Sequence, residues 1–321
     1  MTMKIFLDSR DWIILARIVD GKETNSALQK VYEKIKKLSD SESAIFPFSM
    51  FHLDDIMKRS DKTSREKVID VMIDISKGWV MKPYLLFFQK EIENASLNRL
   101  GKKSIHNIQS QIFGKGIAYT AGEEYHITSS TPEGKKFLDE HGDELRRVTD
   151  SINSMKLLLK DDEFAKIFQE WKEPYDQLAI RLEKNREYKR QMTKSQRYDY
   201  EFAAHFKHSI TPHLGKFLYK LQIPVERVIS SNKHDLNLFL ENMPSLNVYF
   251  QLIVARDDES PERTVQSNDM VDICHLAGAI PYCDIVVVEK MFAHLSKKQQ
   301  LDKKYNCIVC DSLLELNSVL S

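Results

Sequence analysis

The sequence predicts an α/β protein: a parallel sheet assembled from both chain ends, interrupted by a long and mainly helical insertion. Three observations predict it. Short apolar runs occur near the two ends, at residues 4–7, 44–48, 285–288 and 307–310. Each is followed by a helical pattern, the alternation from which parallel sheets are built. Between residues 84 and 230 the strand signal lapses and apolar residues recur at helical spacing. The chain therefore divides into an N-terminal half-core at 1–83, the insertion at 84–230 and a C-terminal half-core at 231–321.

The elements follow in order. Lys4, Ile5, Phe6 and Leu7 read as a buried strand, because the run ends at Asp8-Ser9-Arg10-Asp11, a polar turn into a helix starting near Trp12. Leu28, Val31, Tyr32, Ile35 and Leu38 repeat at helical spacing. A second strand at 44–48 ends at Ser49; helices follow at 50–58 and 65–77, the latter amphipathic through Val68, Val71, Met72 and Ile75. In the insertion, helices at 162–168 and 175–194 are clearest, 114–131 reads as an irregular loop, and Pro132-Glu133-Gly134 and Thr211-Pro212 mark breaks. The alternation then resumes: helix 269–279, strand 285–288, helix 290–295, strand 307–310 and helix 312–320.

Composition narrows the class. Forty-seven Lys plus Arg balance forty-seven Asp plus Glu, so net charge neither favours nor opposes nucleic acid, and local charge must decide. At 42% hydrophobic and 29% charged, the chain reads as soluble and globular. No apolar run approaches the ~18 residues of a membrane span. The stretch before Asp8 is too short for a signal peptide, so no membrane partner and a cytoplasmic location are expected. Cys307 and Cys310 form a C-x-x-C, which suggests zinc or redox chemistry. The apolar Ile308-Val309 between them and the lack of a second ligand pair oppose that. All four cysteines, Cys274 and Cys283 included, are expected to be reduced core thiols.

Carboxylates fall at informative places. Asp8 follows the first strand, Asp54-Asp55 follows the second, Asp269 and Asp272 sit in the first turns of a helix, and Asp284 and Glu289 bracket the strand at 285–288. In open α/β sheets, ligands bind outside the carboxyl ends of the strands. Carboxylates gathered there repel unless a cation neutralises them, and hard oxygen ligands suit Mg2+ or Mn2+. Each acid also has a structural role open to it: Asp8 as an N-cap, Asp269 and Asp272 as complements to a helix dipole, Asp54-Asp55 as a solvated face. His52 and His275 lie near the acids, as phosphate or proton partners or simply as packed residues, and Ser49 could fix a metal-bound water.

The segment Asp272-Ile273-Cys274-His275-Leu276, then Pro281-Tyr282-Cys283-Asp284 and an apolar strand ending in Glu289, resembles the C-terminal signature of PIN-like nuclease domains. Ser49 with Asp55 six residues on resembles the family's second motif, and residues 4–8 its first strand and first acid. The resemblance implies a three-layer α/β/α PIN-like core and metal-dependent cleavage of RNA, less often of DNA. Carried onto this chain, it implies Asp8, Asp55, Asp272 and Glu289 as the catalytic acids and metal ligands, with Asp269 and Asp284 as further ligands, and Mg2+ or Mn2+ as the ion. Glu289 stands where the family usually has Asp, and Asp55 where Glu is common. There is no Walker-type phosphate loop and no H-E-x-x-H motif, which disfavours ATP and zinc-protease readings.

A basic stretch in the insertion suggests how RNA is held. Lys184, Arg186, Lys189, Arg190, Lys194 and Arg197 face one acid, Glu187, with Tyr188, Tyr198, Tyr200 and Phe202 nearby. Basic residues neutralise phosphates and aromatic faces stack bases. One helix with its basic face toward the acidic crevice is expected, a solvated face being the alternative. The reading that results is an endonuclease acting on single-stranded RNA. An inactive PIN-like binding or assembly module and a structure-specific DNA nuclease are the alternatives. A free nuclease also calls for restraint, by an inhibitor or regulatory protein or by the insertion itself.

Overall fold

The computed structural model describes residues 2–122, 131–149, 151–170, 172–230, 232–259 and 263–320. These contain the strands β1 (Met3–Leu7), β2 (Ala44–Ile45), β3 (Trp79–Met81), β4 (Phe113–Lys115), β5 (Ile285–Val287) and β6 (Ile308–Cys310). β1, β2, β5 and β6 form one parallel sheet in the order β2-β1-β5-β6. Its central register pairs Ile5 with Ile285 and Leu7 with Val287, so the two chain ends do build one sheet.

The strands alternate as period-2 sequences should, but both faces are apolar because both are covered. Ile5, Leu7, Ile285, Val287 and Cys310 point into one core, beneath the helices Ser9–Val19, Ser26–Asp40, Lys62–Ser76 and Leu313–Val319. Phe6, Val286 and Val309 point into the other, beneath Pro244–Glu259, Ser267–Tyr282 and Lys290–Lys298. The expected strand at 44–48 pairs with β1 over only two residues. Pro47 has no N–H to give a ladder, and Phe48 turns instead to β3, donating to the Trp79 carbonyl (3.2 Å) and accepting from Met81 N (2.7 Å).

The insertion is not a separate body. β3, before the expected boundary at 83/84, pairs antiparallel with β4 beyond it, where helix and irregular loop are expected. Ile92, Ile112, Phe202, Ile210 and Leu214 join one core, while Met155 and Leu159 join the other. Gly78, at φ +76°, lies so close to Met155 Cε that a Cβ would sit 2.6 Å from it, so the helix Ile152–Lys160 seats directly on this turn. Glu91, on the helix Phe88–Arg99, caps the N-terminus of Pro244–Glu259 by accepting from Ser245 N (3.0 Å) and Oγ (2.9 Å), and also accepts from the Tyr282 hydroxyl. Burial pushes this carboxyl up to about 7.

The expected helix at 175–194 is two helices, Lys172–Lys189 and Lys194–His205. Thr193 starts the second through a capping box: it accepts from Gln196 N (3.3 Å), and Gln196 Oε1 accepts from Thr193 N (2.8 Å). All four cysteines are free and buried. Among the described residues no helix is long and apolar enough to cross a membrane.

Candidate active site

From β1 the chain first adds β2 on one side, and much later β5 on the other. The carboxyl ends of β1 and β5 therefore flank the point where the winding reverses, which is where open α/β sheets leave a crevice. Asp8 follows β1 directly and Glu289 stands just beyond β5. Asp8 starts the helix Ser9–Val19, its Oδ1 accepting from Ser9 N at 2.6 Å. The helix Ser267–Tyr282 presents Asp272 and His275 one turn apart on one face. One ligand atom from each of Asp8, Asp272 and His275 lies within 4.8 Å of the other two. The helix Met50–Met57 adds Asp55, whose Oδ2 accepts from Ser9 Oγ at 2.6 Å.

A local device seats that last helix. Ser49 N donates to His52 Nδ1 (2.9 Å), and His52 Nε2 donates to the Leu7 carbonyl (2.7 Å), one residue before Asp8. With Nδ1 accepting and Nε2 donating, the ring is neutral, and burial lowers its pKa to about 4. His52 and Ser49 thus hold Asp55 beside Asp8, and both are fully buried. Neighbouring Asp54 turns away to pair with Lys58 at 2.6 Å, which separates the two acids of the doublet.

The acids carry the imprint of one another. Burial first, then Asp8, Asp55 and Glu289, push the Asp272 carboxyl up to about 9. Burial and then Asp11 push Asp8 up to about 7. Burial also raises Asp55, against the Ser9 hydrogen bond. Asp11 is not among the acids that the sequence nominates. It is completely buried, one oxygen has no partner, and burial raises it to about 6. A signal was present: Asp8 and Asp11 are three residues apart at a helix start and so share a face. Arg10 is the cation at this rim, but its Nη2 also donates to the carbonyls of Asp311 (3.2 Å) and Val288 (3.5 Å), beyond the ends of β6 and β5. Glu289 is exposed at the edge of the cluster.

Two expected ligands are engaged in other contacts. Asp284 precedes β5, so it sits at the amino end of the sheet, about 16 Å along the chain from Glu289 at the other end. There it accepts from Lys4 N at 2.7 Å. Asp269 is a structural acid: it accepts from Arg256 (2.8 Å), Arg263 (2.7 Å) and Gln266 N (3.1 Å).

The basic stretch is corrected too, since its residues fall on two helices and much of its charge is used internally. Lys189, 1% exposed, pairs with Glu201 and Asp257, and Arg186 pairs with Glu183 (2.6 Å). Arg197 and Lys194 both pair with Asp258. Only Lys184, Arg190 and Lys194 are exposed. A different cationic surface emerges that the sequence did not suggest. Arg17, Lys22, Arg59 and Lys67 line a cavity of about 310 Å³, with Asp20 as its one acid. Asp20 pairs with Lys22 (2.9 Å) and Lys67. Among the described residues, Arg17 and Arg59 have no carboxylate partner. At 1.5 Å per helical residue, Arg17 lies about 13 Å from Asp8 along one helix.

Comparison of the chain with protein-family models, with curated proteins and with solved structures finds no match in any of the three.

Proposed function

We propose that this chain is a PIN-like, metal-dependent nuclease that cleaves single-stranded RNA at the carboxyl end of its sheet. The observation that carries the reading is the convergence of Asp8, Asp55 and Asp272 from three separate segments, with Glu289 at the rim. Buried carboxylates that raise one another's proton affinity are poised to exchange those protons for a cation. The residues fit such a cation: Asp8 and Asp272 would hold it, with Asp55 and Glu289 beside them. When bound, a divalent ion would neutralise the cluster, acidify a water and take up phosphate charge. The chain's own part is positional. Ser9 and His52 fix the carboxylates, and Glu289, open to solvent, can accept a proton from an attacking water. The Arg17–Arg59 cavity supports a polyanionic substrate, because it offers positive charge outside the acidic site that would otherwise repel the backbone.

The test is the purified chain with Mn2+ or Mg2+ and matched single-stranded RNA and DNA. Cleavage of RNA should be abolished by EDTA and should fall about a thousandfold or more in Asp8→Asn and Asp272→Asn, as expected when an electrostatic element of the chemistry is removed. Activity that survives both EDTA and Asp8→Asn overturns the proposal, and preferential cutting of DNA reassigns the substrate. The exposure of Glu289 favours one other reading, a PIN-like module that binds metal without turnover. In that case Mn2+ raises the melting temperature and nothing is cut.

A further inference from the structure

His52 and His275 lie against each other with ring centroids 4.5 Å apart and planes tilted by 30°, yet they differ in one respect. Both nitrogens of His52 are hydrogen-bonded. His275 is 2% exposed, and its Nε2 has no hydrogen-bond partner. A buried polar atom left unpaired is destabilising, so a purely packing role leaves this ring unexplained. The ring is also held rigidly. Phe6 meets it edge-on at 5.4 Å and Phe51 at 5.1 Å, with His52 on a further side. Its open side faces the two acids, since one ring nitrogen lies within 4.8 Å of a carboxylate oxygen of both Asp8 and Asp272. Among the described residues, no hydrogen bond joins these three side chains.

We infer that His275 is a metal ligand, and that Asp8, Asp272 and His275 form a mixed oxygen–nitrogen centre selective for Mn2+, Fe2+ or Co2+ over Mg2+. The inference rests on the reading of the acid cluster as a cation site and adds the donor that sets the ion's identity. Mg2+ takes oxygen ligands and keeps its waters, whereas imidazole nitrogen suits first-row transition ions. A metal ligand must offer a lone pair, and burial together with His52 keeps the His275 ring neutral. The aromatic clamp supplies the fixed orientation that outer-shell partners give to ligating histidines elsewhere.

Mn2+, Co2+ and Mg2+ should be titrated separately into the metal-free full chain by calorimetry. Mn2+ and Co2+ are expected to bind at least about tenfold more tightly than Mg2+. His275→Leu keeps an apolar residue against Phe6 and Phe51. It should weaken Mn2+ binding roughly 10- to 100-fold and change Mg2+ binding far less. Should that variant fail to fold, pulsed electron paramagnetic resonance of Mn2+ on the unaltered chain gives the answer, because a coordinated imidazole shows nitrogen coupling. Equal affinities for Mg2+ and Mn2+, or no nitrogen coupling, overturns the inference. RNA cleavage is scored apart. Nitrogen-coupled Mn2+ on a chain that cuts nothing keeps this inference and sinks the nuclease proposal; metal-dependent cleavage without nitrogen coupling does the reverse.

Discussion

Asp269 and Asp272 stand three residues apart on one helix and have opposite circumstances. Asp269 accepts from two arginines and a backbone N–H. Among the described residues Asp272 has no hydrogen-bond or ion-pair partner, and the charges nearest it are other acids. The same contrast separates the cations: Lys189 is buried between two carboxylates, whereas Arg17 faces an open cavity. Residue type and spacing nominate a site, and pairing decides it. A charge whose partner lies within the fold holds the fold together; one left without a partner is available for a ligand.

The largest effect that can break this contrast is on stability. Asp269→Ala removes the closer of the two carboxylates that pair with Arg256, 2% exposed at its side chain, and leaves only the longer contact to Asp257 (3.4 Å). Breaking a buried pair in this way costs about 3–5 kcal/mol, so the melting temperature should fall by roughly 10 °C. Asp272→Asn should not lower it at all in EDTA at pH 8. Equal losses in the two variants would erase the distinction.

A pH series sharpens it. In the folded chain Asp272 and Asp8 release their protons near pH 9 and 7, against about 4 when unfolded. Between those values the folded state holds protons that the unfolded state has lost, so stability falls as pH rises. Metal-free melting temperatures should therefore decline by several degrees from pH 5 to 9. Saturating Mn2+ should oppose the decline, and Asp272→Asn should make it shallower, with Asp8, Asp11 and Glu91 still contributing. A flat profile in the unaltered chain would place both acids in water.

The smallest effects concern the cations. Arg17→Glu with Arg59→Glu should raise KM for RNA about tenfold and reduce its salt dependence. Charge reversal at Lys184, Arg190 and Lys194 should change KM by less than about twofold, in line with screened surface charges. The opposite ranking would return substrate binding to the insertion.

Much of the sheet was legible because an apolar run bounded by polar turns has few alternatives. Lys4 to Leu7 and Ile285 to Val287 stand out whatever lies between them. β3 and β4 were not legible: each is three residues long, and their pairing crosses the expected boundary. Asp8 and Asp272 could be read from position alone, one after a strand and one at a helix start. Asp284 could have been set aside on the same logic, since it precedes its strand. The pairing of Asp269 with Arg256 and the internal use of Lys189 were out of reach. Lys189 meets Asp257 across 68 residues, and no linear window joins them. His275 stands out in the sequence as a neighbour of the acids, but its unpaired nitrogen is a property of packing.

The pairing of Ile5 with Ile285 has a consequence in time. The two central strands are 280 residues apart, and translation proceeds at about 5–20 residues per second. The first strand therefore waits on the order of 15–60 s for its partner, with one edge open to mispairing. Asp8 meets Asp272 and Glu289 only once the later segment has left the ribosome. The acidic centre is thus assembled last, and a nascent chain has none to expose to the messenger that encodes it.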